Sequence, residues 1–189
     1  MKLIESITFS NKDFVQHDIL IAEYESCEFI GCNFEGQILT EFVFIDCTFQ
    51  NCNLSNIQTT NCSFRNVNFI NCKMLGIDFS VCATFLLELR FESSHLDFSS
   101  FYQLKINNTS FKNCSLKEVD FVETSLQNSS FNGCNLTGAL FDNTLLEKSD
   151  FRNAIGYQIN PVKNYITDAS FSYSEVAGLL HHHKINIVP

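Results

Sequence analysis

The chain of 189 residues carries 21 acidic against 12 basic residues, a formal charge of −9, with 20 Phe, 9 Cys, 7 Gly, 2 Pro and no Trp. That balance repels nucleic acid and attracts basic partners, so direct nucleic-acid binding is not expected. No stretch approaches the ~18 apolar residues of a membrane span, so no membrane association is expected. The opening Met1-Lys2-Leu3-Ile4-Glu5 lacks an uninterrupted apolar run, and with so many cysteines the expected setting is a reducing cytoplasm.

From the N-terminus a large apolar residue falls on every fifth position: Ile4, Phe9, Phe14, Ile19, Tyr24, Phe29 and onward to Phe79, broken only at Thr59. A period of five is neither the 3.6 of a helix nor the 2 of a flat strand. The residue two before each anchor is small or apolar, and all nine cysteines occupy that slot, from Cys27 to Cys134. Each unit therefore reads small-in, out, large-in, out, out. Inward residues separated by one outward residue need extended backbone, and the next two must turn a corner. Such a unit buries nothing alone and must stack on copies of itself, which predicts a solenoid. Truncating a mid-stack anchor such as Phe121 is expected to cost roughly 3–5 kcal/mol.

Over Ala83 to Arg90 the phase slips by two, and the anchors resume at Phe91, Leu96, Phe101, Ile106 and Phe111 through Phe151. A bulge at a corner or a protruding apolar contact surface would each produce this slip. Phe85 lies in the slip, Phe42 takes a small slot and Phe98 is expected to point outward. Cysteines at spacings of five, ten and twenty do not match zinc motifs, so buried structural thiols are expected, with no metal or cofactor.

Units such as Cys32-Asn33-Phe34-Glu35-Gly36 and Cys134-Asn135-Leu136-Thr137-Gly138 make the chain resemble the pentapeptide-repeat family over residues 4 to 171. The resemblance implies an all-β solenoid, a right-handed quadrilateral β-helix with four units per coil. Columns spaced by twenty agree: Cys32, Cys52 and Cys72 form one, and Cys114 and Cys134 continue it if the slip is local. The alternation of Phe with Leu or Ile from Phe91 to Phe151 then sets Phe opposite Phe and Leu opposite Leu.

The solenoid is expected to span residues 1–171 and a tail residues 172–189. Ser172 and Glu175 have capping-box spacing, and Val176, Leu179 and Leu180 follow at helical spacing. His181 to His183 suit a helix end rather than a metal site. Ile185, Ile187 and Val188 read as a short terminal strand. An open solenoid end needs covering, so the tail is expected to cap it. The tail also resembles that of the Qnr and MfpA-like branch, in which a short helix and strand join two subunits tail to tail. That resemblance implies a homodimer with Val176, Leu179, Leu180, Ile185 and Ile187 in the interface.

No catalytic constellation is readable: His17 and His95 are isolated, no glycine-rich phosphate loop is present, and no carboxylate pair stands out. A non-enzymatic role is expected. Charge is the informative feature, since no Lys or Arg lies between Lys12 and Arg65. That interval holds Asp18, Glu23, Glu25, Glu28, Glu35, Glu41 and Asp46, the candidate partner-binding acids. Resemblance to the Qnr and MfpA-like proteins implies a DNA mimic that binds DNA gyrase or topoisomerase IV and modulates quinolone action. The long projecting loops of some Qnr members are absent here. A scaffold for a different partner, with the acids serving solubility, is the alternative reading.

Overall fold

A computed structural model describes residues 1–183, 185, 186 and 188. The backbone forms a parallel β-solenoid of about eight turns with very little helix. On the first face, strands Lys2–Glu5, Ala22–Glu25, Val43–Ile45 and Ser63–Arg65 pair in that order. On the second, Thr8–Ser10, Glu28–Ile30, Thr48–Gln50, Val67–Ile70, Leu89–Glu92 and Ser110–Lys112 pair in sequence. The third and fourth faces are held by single parallel bridges, such as Asn33↔Asn53 and Asp120↔Leu140. Partners differ by twenty residues (Tyr24 with Phe44, Phe29 with Phe49), so one coil takes four five-residue sides.

The anchors fill the axis. Phe9, Phe29, Phe49, Phe69, Phe91, Phe111, Phe131, Phe151 and Phe171 form one stacked column along the whole solenoid. Its centroid spacings lie between 4.6 Å for Phe29–Phe49 and 5.4 Å for Phe69–Phe91. Phe79, Phe101, Phe121 and Phe141 stack on the opposite face. The two columns meet edge to face across the axis, as in Phe101–Phe111 at 5.8 Å and 83°. Offset stacks and edge contacts both suit the ring quadrupole, adding about 0.5–1.5 kcal/mol per pair beyond area burial.

The small inward slot is a hydrogen-bonding position as well as a steric one. Its side chain donates to the carbonyl of the anchor one coil back: Cys32 Sγ to Phe9 O (3.3 Å), Cys52 Sγ to Phe29 O (3.2 Å), Cys72 Sγ to Phe49 O (3.3 Å). Ser94 Oγ does the same to Phe69 O at 3.3 Å and Cys134 Sγ to Phe111 O at 3.2 Å, so the cysteine column continues across the slip with one serine in it. Cys, Ser and Thr share this slot because each is compact and carries one donor. All nine cysteines are free and buried.

Burial pushes the Cys47 and Cys82 thiols up to about 12 from the usual 9.0, and Tyr24, also beside Cys27 and Cys47, up to about 12 from 10.0. Above pH 9 the unfolded chain releases these protons while the folded chain retains them. Stability from these groups is therefore complete below the unfolded pKa and is lost as pH rises from about 9 toward 12. Urea midpoints measured between pH 7 and 11 should fall steeply above pH 9, and a Cys47→Ser variant should show a shallower fall. An identical slope would show that Cys47 does not titrate with unfolding.

Corners explain the outward asparagines. The residue two after most anchors adopts positive φ; Asn51, Asn56, Asn61, Asn66 and Asn71 lie between 52° and 58°. Asparagine and glycine tolerate the left-handed region best, and Gly36 at 68° takes the same role. Two corners depart from this chemistry: Leu86 (φ 57°) and Phe98 (φ 64°) place bulky apolar residues there, each 63% exposed. Each costs roughly 1–2 kcal/mol relative to glycine.

The slip is local. Ser63 still pairs with Ala83, twenty residues on, but Val67 pairs with Leu89, twenty-two on. The two extra residues therefore lie between Ala83 and Leu89 on the first face. Leu87 packs part-buried on the core while Phe85 swings out. Among the described residues no bridge joins Ala83 to Lys105; the face resumes at Lys105↔Ser125.

The tail departs from the sequence expectation in detail. Its helix is a 3-10 helix over Tyr173–Leu179, followed by a second over His181–His183. Ser172 makes no side-chain cap to that helix. Instead Ser172 Oγ accepts from Asn153 N (2.9 Å) and Glu175 Oε2 from Gly156 N (3.3 Å). The capping-box side chains are thus turned onto the last coil, whose unpaired N–H groups compete for them and win. Leu179 packs against the core, and Gly178 O accepts from Ile159 N at 3.2 Å. Ile185, Asn186 and Val188 belong to no strand, contrary to the expected terminal strand, and Ile187 lies outside the described residues.

Candidate partner-binding surface

The seven candidate acids do not form one patch. The pairing register stacks Glu25 directly on Glu5, and Glu23 lies in the same strand. Glu28 opens the second face just past the corner, and Asp46 takes the equivalent corner one coil on. These five carboxylates share the first face and its edge. Asp18 and Glu35 lie on other sides, and Glu41 sits at the far corner of the first face.

Among the described residues, no cation forms an ion pair with any of these acids. Among the described residues the ion pairs are Arg90–Glu88, within the slip, and Lys112–Glu92, Arg152–Asp150 and Lys163–Asp142 beyond it. The N-terminal acids meet neutral donors instead: Thr8 Oγ1 to Glu28 Oε2 at 3.2 Å, Asn66 Nδ2 to Asp46 Oδ1 at 2.5 Å, and Asn53 Nδ2 to Glu35 Oε2 at 3.0 Å. A neutral donor orients a carboxylate and leaves its charge in place. The first coils consequently carry an uncompensated negative field, while the later coils mix both signs.

His17 Nδ1 lies 3.1 Å from Asp13 O, and His95 sits on the third face between Lys73 and Ser115. Among the described residues, no three His, Cys, Asp or Glu side chains gather where a metal ion would need them.

The family profile described as a pentapeptide repeat region matches residues 22–101 and 83–151. The chain belongs to the pentapeptide-repeat family. Among solved structures this pentapeptide-repeat protein is similar to a trypsin-treated QnrB1, a plasmid-mediated fluoroquinolone resistance protein. That match has a TM-score of 0.77 at 17% identity, over 100% of this chain and 92% of the other. It is also similar to HetL, a pentapeptide repeat protein involved in heterocyst differentiation regulation in the cyanobacterium Nostoc. There the TM-score is 0.71 at 13% identity, over 89% of this chain and 84% of the other. Among curated proteins no sequence matches. Identities this low carry the fold alone.

On this repeat protein the tail residues Val176, Leu180 and Ile185 are exposed at the C-terminal end, whereas Leu179 turns inward. The sequence located the slip and offered a protruding apolar surface as one reading of it, but not the groove beside it. The bulge builds one wall of a groove of about 710 Å³, lined in part by Ile45, Asp46, Arg65, Leu86 and Glu88. The available signal was Leu86 itself, an apolar residue at an edge whose earlier corners are Ser26, Asp46 and Asn66.

Proposed function

We propose that this protein is a non-enzymatic, cytoplasmic interaction protein that binds a type II topoisomerase, DNA gyrase or topoisomerase IV, by partial DNA mimicry. The observation that carries this reading is the acidic field of Glu5, Glu23, Glu25, Glu28 and Asp46, without ion pairs among the described residues, on a β-solenoid of about eight turns. About eight turns at ~4.8 Å give a rod near 40 Å, a length of duplex that carries roughly 23 phosphate charges. The 21 acids approach that number and the 12 bases reduce it, so mimicry is confined to the N-terminal coils. The exposed tail residues Val176, Leu180 and Ile185 would join two copies end to end, placing an acidic segment at each extremity.

The test is a gyrase supercoiling assay with and without a quinolone. Inhibition at micromolar protein that weakens with added salt is expected. Reversing Glu23, Glu25 and Glu28 to Lys should raise the half-inhibitory concentration by at least about tenfold, equivalent to about 1.4 kcal/mol. No inhibition by the natural sequence at micromolar protein would remove the topoisomerase reading. A scaffold role toward another protein is favoured by the later coils, where four ion pairs leave a mixed surface without phosphate-like character.

A further inference from the structure

The groove beside the bulge, of about 710 Å³, has a wall built against local preference. Leu86 stands at positive φ with its side chain in solvent, and Phe85 beside it is 68% exposed. Phe85 is held in place, since its ring lies 5.3 Å from the Arg65 guanidinium. Arg65 is tied in turn by Nε donating to Ser63 Oγ at 3.1 Å. Two apolar side chains stand outward, and Leu86 does so at a backbone conformation that glycine or asparagine would adopt more easily, a placement that suits contact rather than stability.

We propose that this groove docks an extended segment of a partner protein, with an apolar side chain against Leu86 and Ile45 and basic residues on either side. Shape and charge select that occupant. From Ile45 to Asn107 the groove crosses three rungs, roughly 14 Å, which about four extended residues span. The same face continues toward the N-terminus as the Glu25 and Glu5 ladder, and Asp46 lies in the groove wall. A segment running along the axis therefore meets apolar surface in the groove and unpaired carboxylates beside it. A second copy of this acidic chain would bring like charge to that ladder, which disfavours self-docking.

The inference deepens the interaction role proposed above by naming the contact, and its test is separable from that of the topoisomerase. The probe is a short fluorescein-labelled peptide of alternating Lys and Thr around a central Leu-Val pair. Its control replaces Leu-Val with Ser-Ser. Polarisation titrations should show the apolar peptide binding about tenfold more tightly than the control. The variant Leu86→Gly should erase that difference while melting no lower than the natural protein, because glycine accepts the corner conformation. Phe85→Ser should weaken the apolar peptide alone.

Equal affinity for both peptides, no binding of either, or undiminished discrimination by Leu86→Gly would each overturn the proposal. Concentration-dependent self-association abolished by Leu86→Gly would assign the groove to a second copy and also overturn it. Supercoiling inhibition by a natural protein that binds both peptides equally would sink the groove and leave the topoisomerase reading standing. Peptide discrimination without supercoiling inhibition would do the reverse.

Discussion

Replacing Phe111 with Ala should destabilise the solenoid by about 3–5 kcal/mol, the range for a large buried aromatic cut to a methyl group. Phe111 is fully buried, stacked at 5.1 Å on both Phe91 and Phe131, and meets Phe101 and Phe121 edge to face at 5.8 Å. The cost is high because neighbouring coils cannot collapse into the void. Their spacing is set by backbone bonds between rungs, among them Phe111 N to Ser130 O at 2.8 Å, and not by side-chain size. Phe98→Ala is the matched control, since Phe98 is 63% exposed at a left-handed corner. It should change stability by less than about 0.5 kcal/mol. Urea unfolding of the two variants reads the contrast. Equal losses would mean that the Phe column is not the principal source of stability.

Gly178→Ala should release the tail. A Cβ there would sit 2.2 Å from Tyr157 O and 2.9 Å from the Tyr157 ring. Neither neighbour can yield, because Tyr157 is 2% exposed and packs on Phe151 and Phe171 at 5.8 and 5.5 Å. The 3-10 helix must move away. With it go the Leu179 contact and the bonds that Ser172 and Glu175 make to Asn153 N and Gly156 N. Overpacking of this kind costs about 1–3 kcal/mol, and the uncovered last coil then offers unpaired strand edge to other molecules. Limited proteolysis should cut the variant tail at least about tenfold faster than the natural one. Sedimentation velocity should show association that grows with concentration. Unchanged cleavage would mean that the tail is not docked on the last coil.

Much of the architecture was legible because one short rule repeats. Every fifth residue must be large, and the residue two before it small, or the axis is left empty or overfilled. Phe85 and Phe98 break that rule and stand outside the core, whereas Phe42 fills a small slot and is buried against Tyr24 and Phe44. The acids of the first coils were equally visible as a run without Lys or Arg. Their arrangement was not, because whether Glu25 stacks on Glu5 or on a neutral residue depends on which coil edges pair. The tail was the least legible part. Ser172 and Glu175 satisfy a helix cap in spacing, yet the nearest unpaired N–H groups belong to Asn153 and Gly156, about twenty residues earlier in the chain.

By itself the amino-acid order determined the five-residue side, the inward positions and the sign of the N-terminal surface, since each follows from a local period or a sum of charges. Tertiary structure alone decided which carboxylates stand together, where the two extra residues of the slip project, and what the tail covers. Those outcomes depend on contacts between successive coils, and a one-dimensional pattern does not say which outward side chains meet across them.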